Sequence, residues 1–457
     1  MKKILVTGAG LSSSYLIKYL LDQSQQNSWH ITVADADKAN AENKIKNHEN
    51  GTSAALNIND ASACSELISQ HDLIISMLPA SMHIVVARDC IKHKKHLITA
   101  SYISAEMQQL HPEALKAGVL FLNECGLDPG IDHLSAMKMI QEIKHNGGKI
   151  ISFKSFCGGL VAPEFDDNLW NYKFTWNPRN VIVAGQATAS YLENDELKFI
   201  PSSRIFTQTE EIEIDGYGDF ESYANRDSLG YIKPYGIESA STVLRGTLRR
   251  KGFSINWNNL VKLGLTDDTF TIHDADKLSY RDFVSAFTPG HGIANLEQRV
   301  CDFLTINIES DAFNKLKWLG LFDDVKIMLH EASPAQILQN LLQQKWKLKT
   351  GELDMIVMQH IIKYELNSLS VREESSDTYR NNRTRTITSS LVVKGEDEIL
   401  TAMAKNVGLP MAIAAKLLLN GQIKSRGVMM PISKEFYEPI LAELETYGVK
   451  FIEDMVI

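Results

Sequence analysis

The chain opens with an apolar run, Ile4-Leu5-Val6, that ends in Thr7-Gly8-Ala9-Gly10 and passes into SSSYLIKYLLDQ. The run reads as a buried strand. In the segment that follows, Tyr15, Leu16, Tyr19 and Leu20 recur at helical spacing and form one face. Two glycines between a strand and a helix narrow the fold sharply. Gly8 permits a tight turn and Gly10 lets a ligand approach the backbone. The helix N-terminus then offers unpaired N–H groups and the positive end of its dipole. Gly8, Gly10, Leu11, Ser12 and Ser13 are therefore candidate contacts for a pyrophosphate, with Ser13 where the usual fingerprint has a third glycine. Asp35 ends the next apolar run, 22 residues after Ser13. A carboxylate there accepts a hydrogen bond from a ribose 2′-hydroxyl and repels a 2′-phosphate, which favours NAD. Lys38 and the absence of arginine from that turn leave NADP open.

The alternation continues along the chain. HITVADAD, DLIISMLP, KHLITASY and GVLFLNECGLD read as strands, the last as the final strand of the series, and HIVVARDCIKHK reads as a helix. This predicts an α/β fold, with a doubly wound parallel sheet of the Rossmann type over residues 1–125. The run 126–130, GLDPG, breaks the pattern, and HLSAMKMIQEIKHN is helical. Residues 126–457 are expected to form a mixed α+β catalytic and dimerisation domain. Within it, GGKIISFKSFCGG, NVIVAGQATASYL, KFIPSSRIF and TEEIEIDGYG read as β-rich. A helical insertion spans about 250–345, with TVLRGTLRRKGF also helical. Strands return at DMIVMQHIIKYEL and TRTITSSLVVKG, and an αβ stretch covers about 400–457.

Composition narrows the function class. The formal charge of −9 repels nucleic acid and anionic membrane in bulk. The basic cluster Arg380, Arg383 and Arg385 is short and mixed with acids, and reads as a solvated strand or hairpin. No uninterrupted apolar run approaches the ~20 residues of a membrane span. Met1-Lys2-Lys3 leads into folded structure, which predicts no signal peptide. The five widely spaced cysteines contain no CxxC pair, as expected of a cytoplasmic chain with no cysteine metal site. Asp132 and His133 have no further ligand at metal spacing, so a helix-capping Asp, a packed His and no metal are expected. His93 and His96 in IKHKKH read as solvated.

Three stretches exceed what a scaffold needs: Thr99-Ala100-Ser101-Tyr102, Glu124-Cys125-Gly126-Leu127-Asp128-Pro129-Gly130, and Cys157-Gly158-Gly159-Leu160-Val161-Ala162-Pro163-Glu164. The first two end strands of the alternating series, where ligands of open α/β sheets bind. With VTGAGLSS, ITASYIS, NECGLDPGIDHLSAM, FCGGLVAPEFDDN, YKFTWNPRNV, YANRDSLGYIKPYGI, LRGTLRRKGF and AMAKNVGLPMAIAAKLLLNGQIKSRGV, the chain resembles the L-glutamate-forming saccharopine dehydrogenases. The blocks cover nearly the whole chain and are weakest over about 265–345. The chain departs from the family at Ser13, Asp35 and Val161.

The resemblance implies hydride transfer from the secondary amine of saccharopine to NAD(P)+, then hydrolysis of the imine to glutamate and 2-aminoadipate 6-semialdehyde, or the reverse. It implies a homodimer. It also implies substrate contacts at Ser101, Tyr102, Asp128, Arg226, Thr247, Leu248 and Arg249, with Tyr102, Asp128 and Cys157 nearest the chemistry. Guanidinium forks suit a tricarboxylate. Beside the glycine turn and Asp35, the implied cofactor contacts are Ala36, Asn57, Ile58, Leu78, Thr99, Ala100, Leu127, Asp128, Pro129, Lys173 and Trp176. A carboxynorspermidine synthase-like reductase and a catalytically silent NAD-binding sensor stay open as alternatives.

Overall fold

Ile4, Leu5 and Val6 are completely buried. Their strand, Lys2–Thr7 (β1), lies inside a seven-stranded sheet of the computed structural model, which describes residues 1–292, 295–366 and 384–456. Trp29–Asp35 (β2), Gly51–Ala55 (β3), Leu73–Ser76 (β4), His96–Thr99 (β5) and Leu120–Leu122 (β6) join it. The order is Gly427–Met429, β6, β5, β4, β1, β2, β3, and every neighbouring pair is parallel. The order reverses between β4 and β1, so Thr7 and Ser76 end at the switch point, where such sheets bind ligands.

Two strands of this sheet differ from the sequence reading. Gly51–Ala55 has no apolar run to announce it and is mostly exposed or half-buried, as an edge strand of small residues. The final strand is not the one ending in GLD. Gly427–Met429 pairs outside β6, with Val428 opposite Phe121. The C-terminal segment also supplies the helix Ala402–Leu419. By length and composition that helix is apolar enough to cross a membrane, yet 78% of it is buried within the fold. It lies along the first helix, Ser14–Asp22, so closely that a Cβ on Gly408 would sit 2.7 Å from the Leu16 nitrogen. Packing therefore divides the chain differently from a boundary at residue 125. One compact unit comprises Met1–Ile150, Pro234–Gly236 and Lys363–Ile457. The strand Thr384–Lys394, which carries Arg385, pairs antiparallel with Ile452–Val456 in this unit. Arg380 and Arg383 lie outside the described residues.

The other unit is Ile151–Lys233 and Ile237–Ile362. Its strands are Gly148–Val161 (β7), Ala189–Glu193 (β8), Glu196–Ile200 (β9), Thr209–Ile214 (β10), Gly218–Ala224 (β11), Thr242–Arg250 (β12) and Asp354–Leu366 (β13). They are ordered β10-β11-β12-β7-β13, with β8 against β12 and β9. The chain passes between the units inside β7 and inside β13. TVLRGTLRR is β12, not a helix. Its partly exposed positions, Leu244, Thr247 and Arg250, recur every third residue because both faces of a central strand are covered, and that spacing imitates a helix. Helices begin after it, at Phe253–Lys262, Tyr280–Phe287, Leu296–Leu304, Asp311–Leu319 and Pro334–Lys345. The NVIV segment is also corrected. Pro178–Ile182 is a short helix, started by Pro178 and capped by the Asn177 side chain, and β8 begins only at Ala189.

Candidate functional site: a dinucleotide turn and two groups of strand-end residues

Gly8 has φ +98°, and a Cβ there would lie 2.9 Å from the Met77 carbonyl oxygen, so the turn after β1 requires glycine. Gly10 has open space where its side chain would be. It precedes the 3₁₀ turn Leu11–Ser13 and then the first helix, which leaves the backbone N–H groups approachable. Ser13 is fully buried and donates to the Gly10 carbonyl (2.8 Å), so it takes the third glycine's place by fastening the turn internally. Leu11 is exposed and Ser12 half-buried.

The Asp35 carboxylate accepts from the Ala9 N–H (2.7 Å), the Asp37 N–H (3.0 Å) and the Asn40 amide (3.3 Å). It thereby ties the end of β2 to the glycine turn. Ala36 is exposed, and Lys38 is paired with Glu42 (3.1 Å). Asn57 is exposed just past β3, where its side chain accepts from the Asn59 N–H. Ile58 points into the core and Leu78 packs against the same cluster. The cleared Gly10 and the acid-ended β2 fit a dinucleotide.

The turns after β5 and β6 are brought together. The Cys125 N–H donates to the Thr99 carbonyl (3.1 Å) and the Glu124 N–H to the Ser101 carbonyl (3.0 Å). A Cβ on Gly126 would sit 2.7 Å from that of Ala100. The loop through Leu127, Asp128 and Pro129 closes on itself, with the Gly126 N–H donating to the Pro129 carbonyl (2.9 Å). Gly130, at φ +149°, has no room for a Cβ against the Gly126 backbone. Tyr102 and Asp128 are half-buried on this surface.

Sequence reasoning missed two groups here. His83 is buried at the start of the helix His83–His93. Its Nδ1 lies 2.8 Å from the Ser76 hydroxyl, and its Nε2 faces the hydroxyls of Ser101 (2.8 Å) and Thr99 (3.1 Å). Burial holds its pKa down to about 4, so the ring is neutral. Glu124, inside the quoted NECGLD block, accepts from the Ile103 N–H (3.0 Å) and meets His133 (2.9 Å). His133 is fully buried and Asp132 accepts from the Gly130 N–H. His93 and His96 are not solvated as expected. Both are half-buried, His93 against the Ser65 hydroxyl (2.8 Å). His96 accepts from the Leu120 N–H (2.9 Å), and desolvation pushes its pKa down to about 4.

The second unit gathers the other expected residues on β7, β11 and β12. Cys157 stands opposite Thr247, and Arg249 opposite Glu221. The glycines of CGGL and RGTLR let these strands meet. A Cβ on Gly158 would sit 2.6 Å from the Leu248 carbonyl oxygen, and one on Gly246 would overlap the Ser222 hydroxyl. Arg249 is 4% exposed and sits over the rings of Tyr172 (5.1 Å), Phe253 (5.5 Å) and Tyr223 (5.9 Å). Its Nη1 donates to the Leu248 carbonyl (2.8 Å), its Nε has no hydrogen-bond partner, and it makes no ion pair among the described residues. Glu221, its register partner, is engaged by the N–H groups of Gly252 and Ser254 at the start of the next helix. Arg226 is exposed, at φ +49°, just beyond β11.

Lys173, expected at the cofactor, lies in an ion-pair cluster of the second unit. It is 1% exposed, and its ammonium lies 2.7 Å from both Asp167 and Glu352. Trp176, three residues on, is half-buried.

A parallel sheet whose order reverses at a glycine turn, with an acid closing β2, places the chain in the class of dinucleotide-binding proteins. Residues 4–122 match the family model of the saccharopine dehydrogenase NADP binding domain, and residues 126–449 that of the saccharopine dehydrogenase C-terminal domain. The chain is 35% identical over 465 residues to a saccharopine dehydrogenase (NADP(+), L-glutamate-forming) of Schizosaccharomyces pombe, covering 100% of this chain and 99% of that protein. It is 36% identical over 472 residues to the mitochondrial alpha-aminoadipic semialdehyde synthase of Mus musculus, covering 98% of this chain and 47% of that protein. The structure is similar to that of an apo saccharopine dehydrogenase (L-Glu forming) from Saccharomyces cerevisiae, with TM-score 0.86, 32% identity and full coverage of both chains. The chain belongs to the saccharopine dehydrogenase family.

Proposed function

We propose that this enzyme oxidatively cleaves saccharopine to L-glutamate and 2-aminoadipate 6-semialdehyde, or runs the reverse condensation, in lysine metabolism. The observation that carries the reading is Arg249, a buried guanidinium with no ion pair among the described residues. A buried charge of that kind needs a partner from outside, and a substrate with three carboxylates brings one. Arg226, just beyond β11, binds a second carboxylate, and Thr247 and Leu248 line the same strand as Arg249. Cys157, beside Thr247, lines that group as a small, soft wall.

In the other unit, Thr99, Ala100, Leu127 and Pro129 hold the nicotinamide half of the dinucleotide, and Ser101 and Tyr102 meet the substrate amine. Bound nicotinamide supplies the hydride acceptor. Asp128, half-buried at the strand-end turn, takes the proton that leaves the amine or the attacking water. The cofactor we assign is NAD, although relatives are named for NADP(+). Asp35 supports this, because its charge repels a 2′-phosphate and no arginine follows it in the turn. The five cysteines, all free and buried, support a reducing, cytoplasmic setting. A homodimer is part of the same reading.

The test is absorbance at 340 nm with saccharopine and NAD+ or NADP+ in parallel. Turnover, faster with NAD+, is the expected result. No turnover with either nucleotide, while one still binds, would move the assignment to a diamine-condensing reductase or a silent sensor.

A further inference from the structure

Tyr102 sits between two residues that are both held by Glu124. The Glu124 N–H donates to the Ser101 carbonyl (3.0 Å), and the Glu124 carboxylate accepts from the Ile103 N–H (3.0 Å). Glu124 does this from a left-handed backbone, at φ +55°, and its carboxylate is also held from behind. Oε2 of Glu124 lies 2.9 Å from His133 Nε2, and His133 Nδ1 lies 2.6 Å from the Tyr235 hydroxyl.

The three side chains are 5%, 0% and 1% exposed. Polar groups so deeply buried are costly unless hydrogen-bonded, and here each is bonded to the next. A carboxylate only accepts, so His133 donates from Nε2 to Glu124 while its Nδ1 is hydrogen-bonded to the Tyr235 hydroxyl. Tyr235 is itself brought in by a short clasp. Pro234–Gly236 packs with the first unit although the chain on either side belongs to the second. Lys144 Nζ donates to the Tyr235 and Gly236 carbonyls.

We propose that Glu124, His133 and Tyr235 form a positioning relay that fixes Tyr102 for the substrate amine, none of the three touching the reacting atoms. The proposal rests on Tyr102 being a site residue, as read above.

The experiment is a double-mutant cycle on the full-length enzyme. Tyr102→Phe, Tyr235→Phe and their combination are compared for saccharopine kcat and KM, nucleotide affinity and far-UV circular dichroism. The expected result is a loss of about tenfold in kcat/KM for Tyr235→Phe, as for a slightly displaced group, at unchanged nucleotide affinity. In the Tyr102→Phe background that loss shrinks to less than about threefold, because the misplaced hydroxyl is already gone. Glu124→Gln keeps its volume and an acceptor for the Ile103 N–H, and it carries the same cycle if Tyr235→Phe does not fold. Its expected loss is nearer a hundredfold, since it stands next to Tyr102. Equal losses in both backgrounds would make the relay a purely structural feature and overturn the proposal. A fully active Tyr102→Phe enzyme would instead remove Tyr102 from the site, and the relay with it.

Discussion

The two units treat their functional polar groups in opposite ways. In the first, Asp35, His83 and Glu124 each find partners within the fold: the Ala9 and Asp37 amides, the hydroxyls of Ser76, Thr99 and Ser101, and the Ile103 amide with His133. In the second, Arg249 is as buried as His83 and Glu124, yet its Nε has no partner and no carboxylate pairs with it among the described residues. Pairing within the fold gives rigidity before a ligand arrives. A buried charge left unpaired makes the ligand part of the electrostatics. The cofactor side is thus set in advance, and the substrate side awaits a counter-ion.

Arg249→Met tests this contrast most severely. Losing a buried charge held only by aromatic faces and one carbonyl should leave the melting temperature unchanged or higher, while kcat/KM for saccharopine falls by about 10²–10³. Thermal unfolding and steady-state kinetics on one preparation measure both. A clearly lower melting temperature would mean that the guanidinium is already satisfied. A smaller effect, of the opposite kind, is expected at His83. The unfolded chain binds this proton near the ordinary 6.5 and the folded chain only near 4. Between those values the unfolded state holds more protons, so stability falls as pH is lowered and about 3 kcal/mol is lost by pH 4. Urea unfolding at several pH values should show this slope, and His83→Asn should flatten it. An identical slope in the variant would mean that other groups set the acid limit.

Arg226→Ala comes third. Because Arg226 is exposed, its loss should raise KM for saccharopine by only about 1 kcal/mol equivalent. A normal KM would remove Arg226 from substrate binding. The mildest change is Asp35→Ala. It should shift preference toward NADP+ and cost about 1 kcal/mol of stability, since the Ala9 amide loses its acceptor. Cofactor ratios equal to those of the parent enzyme would dissociate Asp35 from the ribose.

Much of the first unit was legible because its signals are local. The apolar run before Gly8, the helical face of Tyr15, Leu16, Tyr19 and Leu20, and the acid closing β2 each sit within a few residues. The strand Gly427–Met429 was not legible, since three residues carry no periodicity and its partner, β6, lies far back in the chain. Thr242–Arg250 was misread because burial on both faces removed the alternation that marks a strand. Lys173 carries the same letter whether its ammonium meets a phosphate or, as here, Asp167 and Glu352. Glu124 and His133 were visible as letters of a motif. Their pairing depends on a left-handed residue and a helix start that no spacing rule encodes.

The return of the C-terminal segment to the first sheet has a consequence for biosynthesis. About 300 residues separate β6 from the strand that covers its outer edge. At ~5–20 residues per second a ribosome needs roughly 15–60 s to deliver that strand. Throughout that interval the nascent sheet exposes the bare edge of β6, and the first helix has no partner for Leu16. The early part of the chain is therefore a natural client for chaperones, and a messenger cut short before the codon for Gly427 would yield an aggregating product instead of a smaller nucleotide-binding protein.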